Sequence, residues 1–178
     1  MPLPLLSGFR KNHKCEHVLF NFTKNCKSTL DNNEVCCAVL SDLSKAFDCL
    51  PHNLLIVEFN AYGLDKSACK LIANYFMDRK QCVKISNTKS DWQSICKVAA
   101  QGSLFGPFMF NVMINDLLHL ISDFCAIYNY ADNNTICCRG STFEEAHTKN
   151  QNTIKIMMDW FKANHLKSEP REVSIYNV

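Results

Sequence analysis

Apolar and polar positions divide the chain into short strand-like runs and longer helical ones. The apolar, partly β-branched run 35–41 is typical of a buried strand, and Asp42 follows at its carboxyl end. Further along, two apolar segments, 124–128 and 135–138, flank a tight polar turn, which predicts a β-hairpin with Asp132 at its tip. If the two strands are neighbours, their carboxylates meet and only bound cations can neutralise them.

Helical spacing governs most of the remaining apolar residues. Val18, Phe22, Cys26 and Leu30 recur every four positions and predict a helix over 16–30. Three further patterns predict helices from Pro51 to Gly63, over 66–77, and over 104–120 with an early interruption at 106–107.

A long helix follows the hairpin. Ser141 and Thr142, each three residues before a glutamate, are typical of capping boxes, and apolar positions continue the helical pattern to Phe161. The tail, 167–178, is polar and then β-prone, which favours an edge strand.

A basic ribbon lies between the predicted helices 66–77 and 104–120. Alternating residues 80–86 are predicted to pair with 91–98 across a turn at 87–90. Arg79, Lys80, Lys84 and Lys89 make it the most basic local feature. Two interpretations remain open: a solvated edge ribbon, or a surface that contacts phosphate.

Composition fits one folded domain. The 178 residues are 47% hydrophobic and 20% charged, and the net charge of +2 is too small to indicate nucleic-acid binding by itself. The 11 cysteines include two adjacent pairs and are expected to be reduced core residues. Because the chain has no C-x-x-C and its six histidines are scattered, the spacing predicts no structural zinc site.

Targeting signals are not predicted. The first eight residues are too short and too proline-rich for a signal peptide, and Asn115 and Asp116 interrupt the apolar run 105–114 well before the roughly 20 residues of a membrane span. We expect a soluble intracellular protein with no membrane partner, and the sequence does not distinguish nucleus from cytoplasm or define an oligomeric state.

Three motifs together resemble a known family. They are S-D-L-S-K-A-F-D-C-L-P-H (41–52), Q-G-S-L-F-G-P-F-M-F-N-V-M-I-N-D-L (101–117) and N-Y-A-D-N-N-T (129–135). In this order and spacing they resemble the reverse transcriptases of non-LTR (LINE-type, jockey-like) retrotransposons. The opening S-G-F-R-K-N-H and the closing D-W-F-K-A-N-H-L-K extend the resemblance over 7–173.

The resemblance implies an α/β (α+β) fold: a polymerase palm, with an antiparallel sheet packed by helices, partial fingers and no thumb. The expected organisation is a single partial domain over 1–178. Within it, 1–34 would be a fingers remnant, 35–165 the palm, and 166–178 a degenerate C-terminal edge of the palm.

The implied activity is RNA-directed DNA polymerisation by two-metal nucleotidyl transfer. RNA template, DNA primer and deoxynucleoside triphosphates would be the partners, and two Mg²⁺ or Mn²⁺ ions the cofactors. By motif position Asp42 and Asp132 are the catalytic metal ligands.

Other roles follow from motif position alone. Leu43 and Ser44 would lie near the incoming triphosphate, and Gln101 and Gly102 along the template and nascent pair. Phe47 matches the aromatic that blocks a ribose 2′-hydroxyl, although it could simply pack in the core.

Primer and template contacts are implied for a further set. Tyr130 matches the tyrosine before the acidic pair, although packing on a neighbouring strand explains it equally well. Arg79, Lys80 and Lys84 would contact the nucleic acid.

The chain departs from the family at functional positions. Asn133 replaces the second aspartate of Y-A-D-D and would be a weakened metal ligand, Ala100 replaces the proline of P-Q-G, and Glu172 replaces a lysine. Two interpretations stay open: a polymerase domain with impaired catalysis, or a catalytically dead relic that at most binds RNA or DNA passively.

Overall fold

The computed structural model describes residues 6–42, 50–95, 97, 103–164, 166 and 173–177, with Asp42 and 173–177 as backbone only. The helices are α1 (Cys15–Asp31), α2 (His52–Ala61), α3 (Lys66–Phe76), α4 (Phe105–Ile121) and α5 (Phe143–Ala163). The strands are β1 (Val35–Asp42), β2 (Lys80–Gln81), β3 (Lys84–Ile85), β4 (Thr88–Lys89), β5 (Gln93–Ser94), β6 (Ala126–Tyr130), β7 (Asn133–Gly140) and β8 (Val173–Asn177).

A four-stranded antiparallel sheet in the order β6-β7-β1-β8 is the centre of the fold. The predicted pairing of the first strand with the later hairpin is therefore confirmed, as is the edge strand in the tail. β1 pairs with β7 along its whole length, from Val35 opposite Gly140 to Asp42 opposite Asn133.

Helices cover both faces of this sheet. On one face α1 packs over a small cluster that includes Cys26, Cys36 and Cys137. On the other, the main core joins α2, α4 and α5 to the sheet, and α4 is buried along most of its length. Burying apolar side chains on both faces stabilises the central strands.

Helix α4 begins without the predicted interruption. Gly106 and Pro107 lie in its first turn, where backbone N–H groups have no intrahelical acceptor and a proline costs no hydrogen bond. The hydroxyl of Ser103 instead accepts the N–H of Gly106 at 3.0 Å. The expectation of a break at this point was wrong.

Helix α5 begins with the predicted cap of Thr142 with Glu145, whereas Ser141 donates to Glu145 and not to Glu144, its predicted partner. The Thr142 hydroxyl accepts the N–H of Glu145 at 3.2 Å, and the Glu145 carboxylate accepts the N–H of Ser141 at 2.8 Å. Farther along, the buried Asn150 amide donates to the Cys37 carbonyl at 2.6 Å, which ties α5 directly to β1.

The basic ribbon pairs differently from the prediction. β2 pairs with β5, and the tip is a separate pair of β3 and β4 whose turn is at 86–87. Between the two pairs, the Ser90 hydroxyl accepts the N–H of Val83 at 2.9 Å. The Ser90 N–H also donates to the Val83 carbonyl at 2.9 Å, so these two residues continue the β3–β4 register. The register shifts by one residue between the two pairs, from Lys80 opposite Ser94 to Lys84 opposite Lys89, and this shift divides the expected continuous hairpin into two short ones.

Among the described residues, none of the helices combines the length and the apolar character that crossing a bilayer requires.

Candidate active site

Asp42 and Asp132 come from neighbouring strands. Asp42 is the last residue of β1 and the cross-strand partner of Asn133, the first residue of β7, which Asp132 immediately precedes. Directly opposed residues of antiparallel strands have Cα atoms roughly 4.5–5.5 Å apart. The backbone of Asp42 therefore lies opposite Asn133, and Asp132 is the residue just before Asn133. The two aspartates are thus close along the sheet although they are far apart in the sequence.

The turn that carries Asp132 is a two-residue loop. Tyr130 and Asn133 close it as the last pair of the β6–β7 ladder, and Ala131 has a φ of 56°, in the left-handed region. Tight hairpins require a positive φ at this point, because it matches the twist of the flanking strands. The strained alanine fixes the direction in which the loop leaves the sheet.

Two buried asparagines hold the loop, and sequence reasoning missed them. Asn129 and Asn134 are cross-strand partners only 1% and 3% exposed. The Asn129 amide donates to the Ala131 carbonyl and to the Asn134 Oδ1, both at 2.8 Å, and the Asn134 amide donates to the Asp132 carbonyl at 3.3 Å. The signal available in the sequence was a pair of amide residues on the inward face of an apolar hairpin.

The N-terminal segment also packs on this turn. Leu6 is fully buried and forms a parallel bridge with Asn129. A Cβ at Gly8 would lie 2.1 Å from the Ala131 nitrogen, so only glycine permits this approach. The Gly8 carbonyl accepts the Asn111 amide of α4 at 3.0 Å, which ties the segment to the core.

The donor set of the turn suits a hard divalent cation. Asp132 is half-buried and Asn133 is exposed. The turn offers one carboxylate and one neutral amide oxygen, both of which are ligand types that Mg²⁺ and Mn²⁺ accept. Compared with a turn bearing two aspartates, this one has one negative charge less.

The other predicted residues are distributed as follows. Tyr130 lies in the same cross-strand row as Asn133 and Asp42, and it is half-buried at the end of β6. The remaining nucleotide-contacting candidates fall outside the described residues: Leu43, Ser44, Phe47, Gln101 and Gly102.

Arg79, Lys80 and Lys84 lie on or beside the basic ribbon and not in the sheet that carries the aspartates. Arg79 is anchored, because its guanidinium carbon lies 4.0 Å from the centre of the Tyr75 ring and its Nε donates to the Tyr75 carbonyl at 2.6 Å. Lys80 and Lys84 are exposed. At the end of the ribbon Lys97 forms a bridge with Pro51, immediately before α2.

An antiparallel sheet packed by helices, with Asp42 and Asp132 at the ends of adjacent strands, is the palm-like α/β fold of reverse transcriptases. Residues 3–176 match the family described as "Reverse transcriptase (RNA-dependent DNA polymerase)". The chain belongs to this family.

Curated relatives agree. The chain is 28% identical over 177 residues to "Probable RNA-directed DNA polymerase from transposon BS" of Drosophila melanogaster, covering 93% of this chain and 19% of that protein. It is 22% identical over 160 residues to "RNA-directed DNA polymerase from mobile element jockey" of the same species, covering 86% and 17%. The chain thus spans about a fifth of the length of these relatives.

A solved structure shows the same fold. An apo telomerase from Candida tropicalis, truncated from its C-terminal domain, superposes with a TM-score of 0.65, covering 98% of this chain and 36% of the telomerase at 12% identity. Together with the family match, these findings confirm the resemblance to a reverse transcriptase domain of non-LTR retrotransposons.

Proposed function

We propose that this chain is the nucleotidyl-transfer part of an RNA-directed DNA polymerase that works inside the cell on an RNA template, a DNA primer and deoxynucleoside triphosphates. The observation that carries the proposal is the β1–β7 register, which brings Asp42 opposite Asn133 and beside Asp132. An acidic pair at this position has a clear chemical use and no evident packing role, since unpaired acids at strand ends are costly.

Asp42 and Asp132 would hold two Mg²⁺ or Mn²⁺ ions. When bound, such ions would stabilise the negative charge that develops on the attacking primer oxygen and on the departing pyrophosphate. The contribution of the protein is to position the two carboxylates. Asn129 and Asn134 do this for the loop of Asp132 by bonding its carbonyl groups from the buried side.

The residues around the acids would bind the substrates. Leu43 and Ser44 follow Asp42 directly in the chain and would face the triphosphate. Phe47 would block a ribose 2′-hydroxyl and so favour deoxynucleotides. Gln101 and Gly102 precede α4, whose N-terminus favours negative groups. Tyr130 would contact the primer end.

Asn133 is expected to weaken catalysis. One charge pair at ~4 Å and an effective dielectric of ~20 is worth roughly 4 kcal/mol, an upper figure because bound ions keep water ligands. If half of this acts on the transition state, the rate falls about 30-fold.

Primer extension on an RNA template tests the proposal. We expect slow, metal-dependent extension by the chain as it stands, about 30-fold faster extension by Asn133→Asp, and none by Asp132→Asn within the Asn133→Asp background. Faster extension by Asn133→Asp would show that the natural chain lacks a charge and is not misfolded at the site. Loss of extension in the double variant would show that Asp132 is required. If neither the natural chain nor Asn133→Asp extends a primer with Mg²⁺ or Mn²⁺, the polymerase function is rejected.

A second candidate is passive binding of RNA or DNA by a chain that has lost catalysis. Asn133 favours it, and so do Lys80, Lys84 and Lys89, which are exposed on the ribbon beside Trp92, itself 64% exposed. Cations with an exposed aromatic suit a single strand, through phosphate contacts and base stacking.

Fluorescence anisotropy on a primer–template across a salt series tests this candidate. The triple change of Lys80, Lys84 and Lys89 to Gln should reduce the slope of log affinity against log salt by about 2–3. Changing the exposed lysines of α1, Lys24 and Lys27, to Gln is the control and should leave the slope unchanged. No binding at low salt, or equal slopes for all variants, would contradict it.

A further inference from the structure

Three cysteines from three elements meet on the α1 face of the sheet. Cys26 comes from α1, Cys36 from β1 and Cys137 from β7, and each is no more than 6% exposed. Their sulfur atoms all lie within 4.8 Å of one another, and those of Cys26 and Cys36 are 4.0 Å apart. The spacing of cysteines in the sequence could not reveal this cluster, because its members are 10 and 101 positions apart.

The separations match those of sulfur ligands around one ion. With metal–sulfur bonds of about 2.3 Å, three sulfurs in a plane around an ion are roughly 4.0 Å apart, and two sulfurs of a tetrahedral site roughly 3.8 Å apart. The pair of Cys26 and Cys36 already has this distance. Because all three sulfurs lie within 4.8 Å of one another, Cys137 needs to approach by less than 1 Å.

We propose that Cys26, Cys36 and Cys137 form a three-sulfur site for a thiophilic d¹⁰ metal ion, Cu(I) or Zn(II). The site lies on the sheet face covered by α1 and is independent of the proposed polymerase function. Binding would release the thiol protons to solvent as the metal–sulfur bonds form.

The surroundings favour a soft ion. Among the described residues, the group of closely spaced His, Cys, Asp and Glu side chains here consists of the three cysteines alone. Phe22, Ala126 and Tyr128 form apolar walls. Thiolate ligands in an apolar, buried setting select Cu(I) and Zn(II) over Mg²⁺ or Ca²⁺.

Arg139 supplies the compensating charge. It is the cross-strand partner of Cys36, and its guanidinium is held by a hydrogen bond to the side chain of Asn25, the neighbour of Cys26 on α1. Three thiolates with Zn(II) carry one net negative charge, which this cation offsets. Three thiolates with Cu(I) carry two net negative charges, and Arg139 offsets one of them.

Coordination number distinguishes the two ions. Cu(I) is satisfied by three sulfurs, whereas protein-bound Zn(II) is almost always four-coordinate and would have to add water or another ligand. X-ray absorption on the loaded protein reports this directly, as three metal–sulfur bonds alone or with an added nitrogen or oxygen.

The test is anaerobic titration of the full reduced chain with Cu(I) and, separately, with Zn(II), each against a chromophoric competitor chelator. We expect one tight equivalent of at least one ion, with a thiolate-to-metal band in the ultraviolet for Cu(I). Cys26→Ser, Cys36→Ser or Cys137→Ser should each weaken it at least about 10-fold.

Cys138→Ser is the matched control, because Cys138 is equally buried and adjacent to Cys137 but belongs to the core of the other face. It should keep the tight equivalent. Cys137→Ala, which keeps the site apolar, replaces Cys137→Ser if the latter does not fold. No tight equivalent of either ion, or a loss equal in Cys138→Ser and the three cluster variants, would overturn the proposal.

Discussion

Glu58 of α2 is an acid placed where charge is costly. Burial and then the negative charge of Asp116 on α4 raise its pKa to about 7, and its Oε2 is buried without a hydrogen-bond partner among the described residues. The Asp116 carboxylate, in contrast, accepts a hydrogen bond from the Trp160 indole at 3.1 Å. The same burial raises the pKa of Tyr62, whose hydroxyl accepts the Asn115 amide at 2.7 Å.

This placement predicts a pH-dependent stability. Because the folded pKa lies above the unfolded value of 4.5, the folded chain keeps a proton that the unfolded chain loses between about pH 4.5 and 7. Stability from this group is complete below 4.5 and declines as the pH rises through 7. Glu58→Gln should remove the decline and gain about 1–2 kcal/mol at pH 8, after discounting for partial solvent screening.

Urea unfolding at pH 5 and pH 8 checks the Glu58 prediction. Glu16→Gln, at an exposed position of α1, is the control and should follow the natural chain at both values. A gain for Glu58→Gln that is equal at pH 5 and pH 8 would show that charge is not the cause.

At the scale of the element, the β6–β7 hairpin depends on partners outside its own ladder. Asn129 and Asn134 bond the loop from beneath, while the segment of Leu6 and Gly8 packs beside it. The loop is therefore held from two sides, although Ala131 has an unfavourable φ. Such support suits a loop whose acid must keep one position.

Asn129→Ala should loosen this loop. It removes two hydrogen bonds at 2.8 Å and leaves the buried Asn134 Oδ1 without its donor, a cost of about 2–3 kcal/mol. Chemical denaturation measures the loss, and amide hydrogen exchange should show faster opening at 130–134 than in α5. Asn152→Ala, at an exposed position of α5, should change neither quantity. Uniformly faster exchange in both elements would refute a local role.

At the scale of the whole molecule, β1 is a central strand only because β8 pairs with the edge that β7 leaves open. The two strands pair from Cys37 opposite Asn177 to Ser41 opposite Val173, and they connect the tail of the chain to the strand that ends at Asp42. Without β8 the backbone of β1 becomes an open edge, which is a site for aggregation.

Removing residues 173–178 should therefore destabilise the fold. Five cross-strand pairs at roughly 0.2–1 kcal/mol each give a loss of roughly 1–5 kcal/mol. Thermal unfolding with light scattering should show a lower midpoint and concentration-dependent association. A chain lacking Val178 alone should behave as the full chain does. An unchanged midpoint after removal of the whole strand would mean that the β1–β8 pairing contributes nothing measurable.

Several elements could be predicted because their causes are local. The cap at Thr142 involves Glu145, three positions away, and the helical spacing of Val18 to Leu30 lies within α1. Leu30, the last residue of that stripe, is nevertheless 53% exposed. The tip at Asp132 is marked by its flanking apolar runs. The ribbon was predicted wrongly in detail, because its turn lies at 86–87 instead of 87–90 and its register shifts by one residue between the two pairs, which alternation alone does not reveal.

By itself the sequence determined the periodic helices, the strand that leads to Asp42, the hairpin tip and the family, since these depend on neighbouring residues or on motif order. Tertiary structure alone decided the support of that tip by Asn129 and Gly8, the rise in the pKa of Glu58, and the meeting of Cys26, Cys36 and Cys137. The reason is physical: burial, close approach and shared charge are properties of residues brought together from distant parts of the chain.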